Sequence, residues 1–131
     1  FSRYIGDGKP CFVERNKMLP ERAIELIKMA GGVAILAHPI LYHLGNEQMT
    51  KLINYLCQHG IDGLEAIYST YSMSDQIQMQ KLASRYHLLI SGGSDYHGAN
   101  KPHIKLGTGT GKLFVPYEVL EKLKKQKDCI Q

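Results

Sequence analysis

The sequence predicts an α/β fold made of parallel βα units. Amphipathic helical segments alternate with short apolar runs, the run Val33 to Ala37 is continuously apolar as in a strand buried on both faces, and glycines stop helices at Gly31, Gly32 and Gly60. Helix–strand alternation with buried strands implies right-handed parallel connections. Three or four such strands are too few to close a barrel, which takes about 250 residues. The sheet is therefore expected to stay open, to pair with a second copy, or to be completed by further chain.

The first helix is expected from Pro20 to Ala30. Pro20 suits the first helical position, Glu21 the positive end and Lys28 the negative end, and Ala23, Ile24, Ile27 and Ala30 form the apolar face. Val33 to Ala37 is the first strand. Asn46 is expected to cap a helix in which Met49, Leu52, Ile53, Leu56 and Cys57 fall at helical spacing, and Gly60 to end it. Ile61 to Tyr68 reads as the second strand. Ser74 is expected to cap a third helix with Met79, Leu82, Ala83 and Tyr86 inward, followed by a third strand from Leu88 to Ser91. A Gly-rich loop, a short strand from Lys112 to Val115, and a helix begun by Pro116 and carrying Val119, Leu120 and Leu123 complete the chain. The opening, Phe1 to Leu19, holds turn formers and lone apolar residues and receives no element.

Composition sets the class. The 131 residues are 44% hydrophobic and 21% charged, which fits one ordinary globular domain (1–131) and excludes a disordered tail or a disulfide-packed toxin. No apolar run approaches the roughly 18 residues of a membrane span, so no membrane partner is expected. Cys11, Cys57 and Cys129 are odd in number and lack metal-binding spacing, which points to reduced thiols in a cytoplasmic protein. The net charge of +4 suits a small anionic substrate without demanding nucleic acid. An open sheet edge makes self-association an expectation as well.

In parallel α/β sheets the reactive groups gather at the carboxyl ends of strands. Here the first strand runs into His38-Pro39, the second carries Glu65 and ends at Tyr68, and the third runs into Ser94-Asp95-Tyr96-His97. Asp95 and His97 stand two apart and share a side of an extended segment, and His38 from a neighbouring strand can supply a third ligand. Two imidazoles and a carboxylate suit Zn, Mn or Fe, and the lack of thiolates argues against a closed structural zinc site. Such a set points to metal-assisted hydrolysis. Glu65 reads either as a site residue or as the partner of a backbone donor or a cation. Lys101 is the best cation for a substrate phosphate, and His43 lies within a few residues of the His38-Pro39 turn and can reach one. His59 and His87 suit helix carboxyl ends. Tyr68, Tyr71, Met73 and Met79 read as packing residues or loop anchors. The Gly107-Thr108-Gly109-Thr110-Gly111 run is a turn rather than a phosphate loop, because no helix follows it. The terminal lysines form a solvated helix face.

Three segments together resemble the later motifs of the polymerase and histidinol phosphatase (PHP) family. They are Ala-Gly-Gly-Val-Ala-Ile-Leu-Ala-His-Pro (30–39), Asp-Gly-Leu-Glu-Ala-Ile-Tyr (62–68) and Ser-Gly-Gly-Ser-Asp-Tyr-His-Gly (91–98). The match extends through Asn100-Lys101-Pro102 and Leu106-Gly107 and covers about Gly8 to Lys124. The resemblance implies a distorted (β/α)₇-type barrel of which this chain is the carboxyl-terminal half, carrying a cluster of divalent metal ions (Mn, Zn, Fe or Mg). It implies hydrolysis of phosphoesters, with a nucleotide or other small phosphorylated metabolite as substrate, or nucleic acid as substrate only. His38 matches the metal histidine of the family's third motif, and Asp95 and His97 the metal pair of its fourth. The family's opening His-x-His pair has no counterpart among His38, His43, His59, His87, His97 and His103. The amino-terminal metal-binding half is therefore expected to be absent, and the isolated chain to be inactive. The competing expectation is a non-catalytic, PHP-like binding or structural module.

Overall fold

The computed structural model describes Tyr4, residues 8–11 and residues 17–130. The elements are α1 (Pro20–Met29), β1 (Ile35–Leu36), α2 (Asn46–Gln58), β2 (Gly63–Tyr68), α3 (Met73–Arg85), β3 (Leu89–Gly93) and α4 (Tyr117–Ile130), with 3₁₀ turns at Pro39–Tyr42 and Gly98–Asn100. The three strands form one parallel sheet in the order β1-β2-β3, with β2 in the centre. The expected α/β class and parallel pairing are found. Most of the unassigned opening segment lies outside the described residues.

The first three helices end in the same way, which explains the regular spacing of the units. At each carboxyl end one residue turns left-handed, and the next amide donates back five residues. Gly32 donates to the Ile27 carbonyl at 2.8 Å, Ile61 to Leu56 at 3.1 Å and Leu88 to Ala83 at 2.9 Å. The left-handed residues are Gly31, Gly60 and His87. Glycine adopts that conformation without a Cβ penalty, and His87 carries the penalty in the third copy.

β2 alternates. Leu64, Ala66 and Tyr68 enter the main cluster with Met49 and Ile53 of α2 and Met79 and Ala83 of α3. Ile24 of α1 joins a second cluster with Ala34, Leu56 and Ile61. Ile53, Leu64 and Met79 are fully buried, so the period-2 and period-3.6 apolar patterns meet in one core. Close strand approach demands Gly63: a Cβ there would lie 2.6 Å from the Leu89 carbonyl oxygen.

Several boundaries differ from expectation. The strand expected over Val33–Ala37 is paired only at Ile35–Leu36, because the Ala34 carbonyl takes both the Asp62 and Gly63 amides and His38 turns left-handed just beyond. The second strand starts at Gly63 rather than Ile61, and the third runs to Gly93 rather than stopping at Ser91. Gly45, not Asn46, is the N-cap of α2, and its amide donates to the Gln48 side chain at 3.2 Å. Ser72, not Ser74, caps α3, through a reciprocal pair with Asp75. Residues 112–115 form no strand. Val115 lies against Gly92, where a Cβ would come within 3.0 Å of its methyl, and Phe114 points out at 76% exposure. The apolar face of α1 is only partly covered, since Ile24 is buried but Ile27 is not.

One buried carboxylate joins these elements at the amino-terminal end of β2. Asp62 accepts from the Ala34 amide at 2.8 Å, from Lys28 Nζ of α1 at 2.5 Å and from Gln126 Nε2 of α4 at 3.1 Å. Its side chain is only 4% exposed. Removing it strands a buried amide and a half-covered ammonium. Asp62→Ala is expected to lower unfolding free energy by about 3 kcal/mol in urea titrations, well beyond what an exposed ion pair supplies.

Candidate functional site

The carboxyl ends of all three strands converge on one rim. β1 delivers His38, β2 delivers Glu65 and Tyr68, and the segment after β3 delivers Asp95, His97 and Lys101. β2 and β3 change register between Glu65 and Ile67, a bulge of the kind that re-aims side chains beside functional sites.

Glu65 Oε2 accepts the His38 amide at 2.8 Å. Of the two readings the sequence left open, the backbone-partner role is thus realised, and it places the carboxylate on the rim. Glu65 Oε1 lies against Gly93, where a Cβ would sit 3.3 Å away. Burial pushes the Glu65 carboxyl above its ordinary value; the His38 amide and imidazole pull it down, and the Asp95 charge pushes it up.

The His38 ring is wedged between Tyr68, at 5.5 Å between centroids, and Tyr42, at 6.2 Å. Its Nδ1 is buried and has no hydrogen-bond partner among the described residues. Tyr68 is 5% exposed, packs on Tyr71 at 5.2 Å and donates its hydroxyl to Asp95 Oδ2 at 2.7 Å. One tyrosine therefore touches both His38 and Asp95. Burial and the bond to Asp95 drive its phenol pKa upward, so it stays a neutral donor. Tyr71 accepts the Ile40 amide at 3.0 Å, and burial raises its pKa to about 12.

Asp95 also takes the Lys101 ammonium on the same Oδ2. The lysine and the tyrosine hold the Asp95 carboxyl below the usual range. His97 Nδ1 lies 2.8 Å from the Asp95 carbonyl oxygen. A carbonyl only accepts, so Nδ1 carries a proton, and in the neutral ring this leaves the lone pair on Nε2, the tautomer that metal-binding histidines use. His43 is exposed at the end of the Pro39–Tyr42 turn.

Among the described residues, four that are not glycine have positive φ: His38 (31°), His43 (52°), His87 (54°) and Asp95 (57°). His87 terminates α3. The other three are candidate site residues, and strained backbone of this kind gathers at functional sites.

Two features of the rim suit a divalent cation: the unpartnered His38 nitrogen and, in the neutral His97 ring, the Nε2 lone pair. Among the described residues, however, no three His, Cys, Asp or Glu side chains enclose a metal position by themselves. His38 meets Asp95 through Tyr68, and Lys101 stands on the Asp95 carboxylate. Sequence reasoning read Tyr68 as a packing residue or loop anchor; the structure makes it both, and the specific bond to Asp95 was missed. The available signal was the hydroxyl-rich run Tyr68-Ser69-Thr70-Tyr71 at a strand end. The glycine-rich 107–111 segment is a turn, as expected. It is closed by the Lys105–Gly109 bridge and seated on Ser69, where a Cβ at Gly109 would come within 2.3 Å of the hydroxyl oxygen. A cavity of about 500 Å³ between α2 and α3, lined in part by Gln78, Lys81 and Arg85, contains none of the candidate residues.

No protein-family model matches the sequence. The chain is 34% identical over 116 residues to the 5'-3' exoribonuclease Rnm of Escherichia coli (strain K12), covering 88% of this chain and 38% of that protein. It is 34% identical over 97 residues to the 3',5'-nucleoside bisphosphate phosphatase of Chromobacterium violaceum, covering 74% and 34%. Among solved structures, it superposes on one described as a metal-dependent phosphoesterase from Bifidobacterium adolescentis with a TM-score of 0.66 and 25% identity, covering 92% of this chain and 41% of that one. An amidohydrolase from Chromobacterium violaceum, solved with sulfate and without metal, gives a TM-score of 0.71 and 27% identity, covering 95% and 43%. The chain spans less than two fifths of the length of either curated relative. Among the described residues, no helix is long and apolar enough to cross a membrane.

The two rim carboxylates make opposite contributions to pH-dependent stability. Glu65, raised above its ordinary 4.5, favours the folded state below that value and loses the contribution as pH rises through its folded pKa. Glu65→Gln is therefore expected to raise the thermal midpoint at neutral pH and to leave it nearly unchanged in acid. Asp95, lowered below its ordinary 3.8, contributes above that value and loses the contribution as pH falls through its folded pKa. Asp95→Asn should lower the midpoint at neutral pH, with the deficit closing in acid. Thermal melts across the acid-to-neutral range check both signs.

Proposed function

The chain belongs to the PHP family of phosphoesterases, and from that premise we propose that it forms part of a metal-dependent phosphoesterase site on the rim described above. The observation that carries the proposal is the bond from His97 Nδ1 to the Asp95 carbonyl, which in the neutral ring leaves Nε2 its lone pair, on the same rim as the unpartnered His38 nitrogen. His38, Asp95 and His97 would hold divalent metal (Mn, Zn, Fe or Mg). When bound, the metal would supply Lewis-acid polarisation of a phosphoryl oxygen and acidification of water.

The chain's own residues set up the rest. Tyr68 fixes Asp95 by a neutral hydrogen bond. Glu65 fixes the backbone at His38 and adds negative charge that favours a cation over an anion at the base of the site. Lys101, on the Asp95 carboxylate, and the exposed His43 are the residues available to meet a phosphate, and Lys101 is the point charge suited to it. The names of the curated relatives support a nucleotide or RNA-end phosphate as the substrate class, and the sulfate in the solved amidohydrolase is a tetrahedral oxyanion of similar shape. The three unpaired thiols support a reducing, cytoplasmic setting.

A panel of a nucleoside 3',5'-bisphosphate, a 5'-phosphorylated oligoribonucleotide, p-nitrophenyl phosphate and an amide tests this reading, with metal content measured in parallel. In a form extended upstream to carry the amino-terminal metal-binding half, metal-dependent release of phosphate or nucleotide is expected, with kcat/KM lowered about 100-fold or more by His97→Ala or Asp95→Asn, whereas the chain alone is expected to be inactive. Metal binding by the extended form without any hydrolysis would favour a binding module. Hydrolysis unaffected by both substitutions would place the chemistry elsewhere.

A further inference from the structure

We propose that Lys101 is a displaceable counter-ion for Asp95: its ammonium holds the carboxylate in place until a divalent cation takes that position, and only then turns to a substrate phosphate. The proposal rests on reading Asp95 as a metal ligand.

The geometry behind it is the doubly occupied Asp95 Oδ2. One partner is the Tyr68 hydroxyl, at 2.7 Å, and the other is Lys101 Nζ. The two donors differ in what they permit. A neutral hydroxyl uses one lone pair and leaves the carboxylate its charge and its other oxygen, so it is compatible with a cation on Asp95. An ammonium brings a full positive charge and no lone pair, so it repels any divalent ion that approaches the same group.

The two partners also differ in freedom. Tyr68 is packed into the core beside His38 and Tyr71. The Lys101 side chain is 41% exposed, against 18% for Asp95. Its backbone is tied into the turn after Gly98 by a bond from its amide to the Gly98 carbonyl at 3.2 Å. The head group can therefore leave Asp95 by side-chain rotation alone while its Cα stays at the rim. A half-exposed ion pair is weak enough for a divalent cation to displace. The freed ammonium remains tethered a few residues from His97, where an incoming phosphate needs a positive charge.

The consequence is a sign that a merely structural lysine would not give. Removing Lys101 should tighten metal binding while weakening the hold on phosphate. Removing the Tyr68 hydroxyl should weaken metal binding. Calorimetric titration of the chain with Mn²⁺ or Zn²⁺ at fixed pH and low ionic strength measures this, with circular dichroism confirming that each variant is folded. Lys101→Met and Lys101→Gln should bind metal about fivefold more tightly than the unaltered chain. Lys101→Arg should restore the weaker value, Tyr68→Phe should bind less tightly, and the gain from Lys101→Met should shrink in high salt. Unchanged or weaker binding in both neutral variants overturns the counter-ion role. If Asp95→Asn still abolishes binding in that case, the metal reading of the rim stands without it. Absence of binding in every form overturns both.

Discussion

Everything on the rim hangs from β2, and β2 is anchored at its amino-terminal end by the buried carboxylate of Asp62. That group receives an amide from the approach to β1, an ammonium from α1 and an amide nitrogen from α4. A buried carboxylate is costly unless its hydrogen-bonding capacity is filled and its charge is paired, and both conditions hold here. The bond to Ala34 settles where the first strand enters relative to the second, and the Leu89 amide bonded to the Asp62 carbonyl settles the third. The relative heights of His38, Glu65 and Asp95 at the far end of the sheet follow from these anchors, because a parallel ladder transmits register along its length.

At the far end the same element presents two carboxylate environments of opposite character. Glu65 sits on the strand itself, where burial favours its neutral form. Asp95 lies on the following loop, where an ammonium and a phenol favour its charged form. Neighbouring titratable groups pushed apart in this way mark sites with divided roles. Asp95 is thus held in its charged form, whereas Glu65 already spends one oxygen on the His38 amide. The division also explains why Tyr68 must remain protonated: a phenolate between two carboxylates would repel both.

The sequence made the architecture legible where patterns were long. The i, i+3, i+4 series from Met49 to Cys57 and the inner face of α3 locate the two helices that cover β2, and the apolar run within 61–68 reads as the buried strand that β2 is. It was less legible at the ends of elements. Ser72 and Ser74 are equally good caps by residue type, and the choice falls to Ser72 because Asp75 stands three residues on and can reciprocate. Residues 112–115 carry strand-forming side chains, yet no backbone partner lies beside them. Strand-end placement located the rim residues. The contacts between them were not legible, because whether Tyr68 bonds Asp95 depends on register and on a bulge that no local pattern encodes.

Backbone strain connects the anchor to the chemistry. A non-glycine residue held in the left-handed region costs about 1 kcal/mol or more, and His38, His43 and Asp95 all lie there. A relaxed chain would surrender such conformations unless other bonds outweighed them. At His38 the amide is held by Glu65 and the ring by two tyrosines; at Asp95 the carboxylate is held by Tyr68 and Lys101. His43 is exposed and lacks comparable supports. Its conformation follows instead from the 3₁₀ turn that it closes, through its amide bond to the Ile40 carbonyl at 3.1 Å. The two residues whose strain is offset by side-chain bonds from separate elements are also two of the three that the strand-end rule selects. Strain that is offset by side-chain bonds from separate elements, as at these two positions, argues that their geometry is held for function rather than inherited from the turns in which they sit.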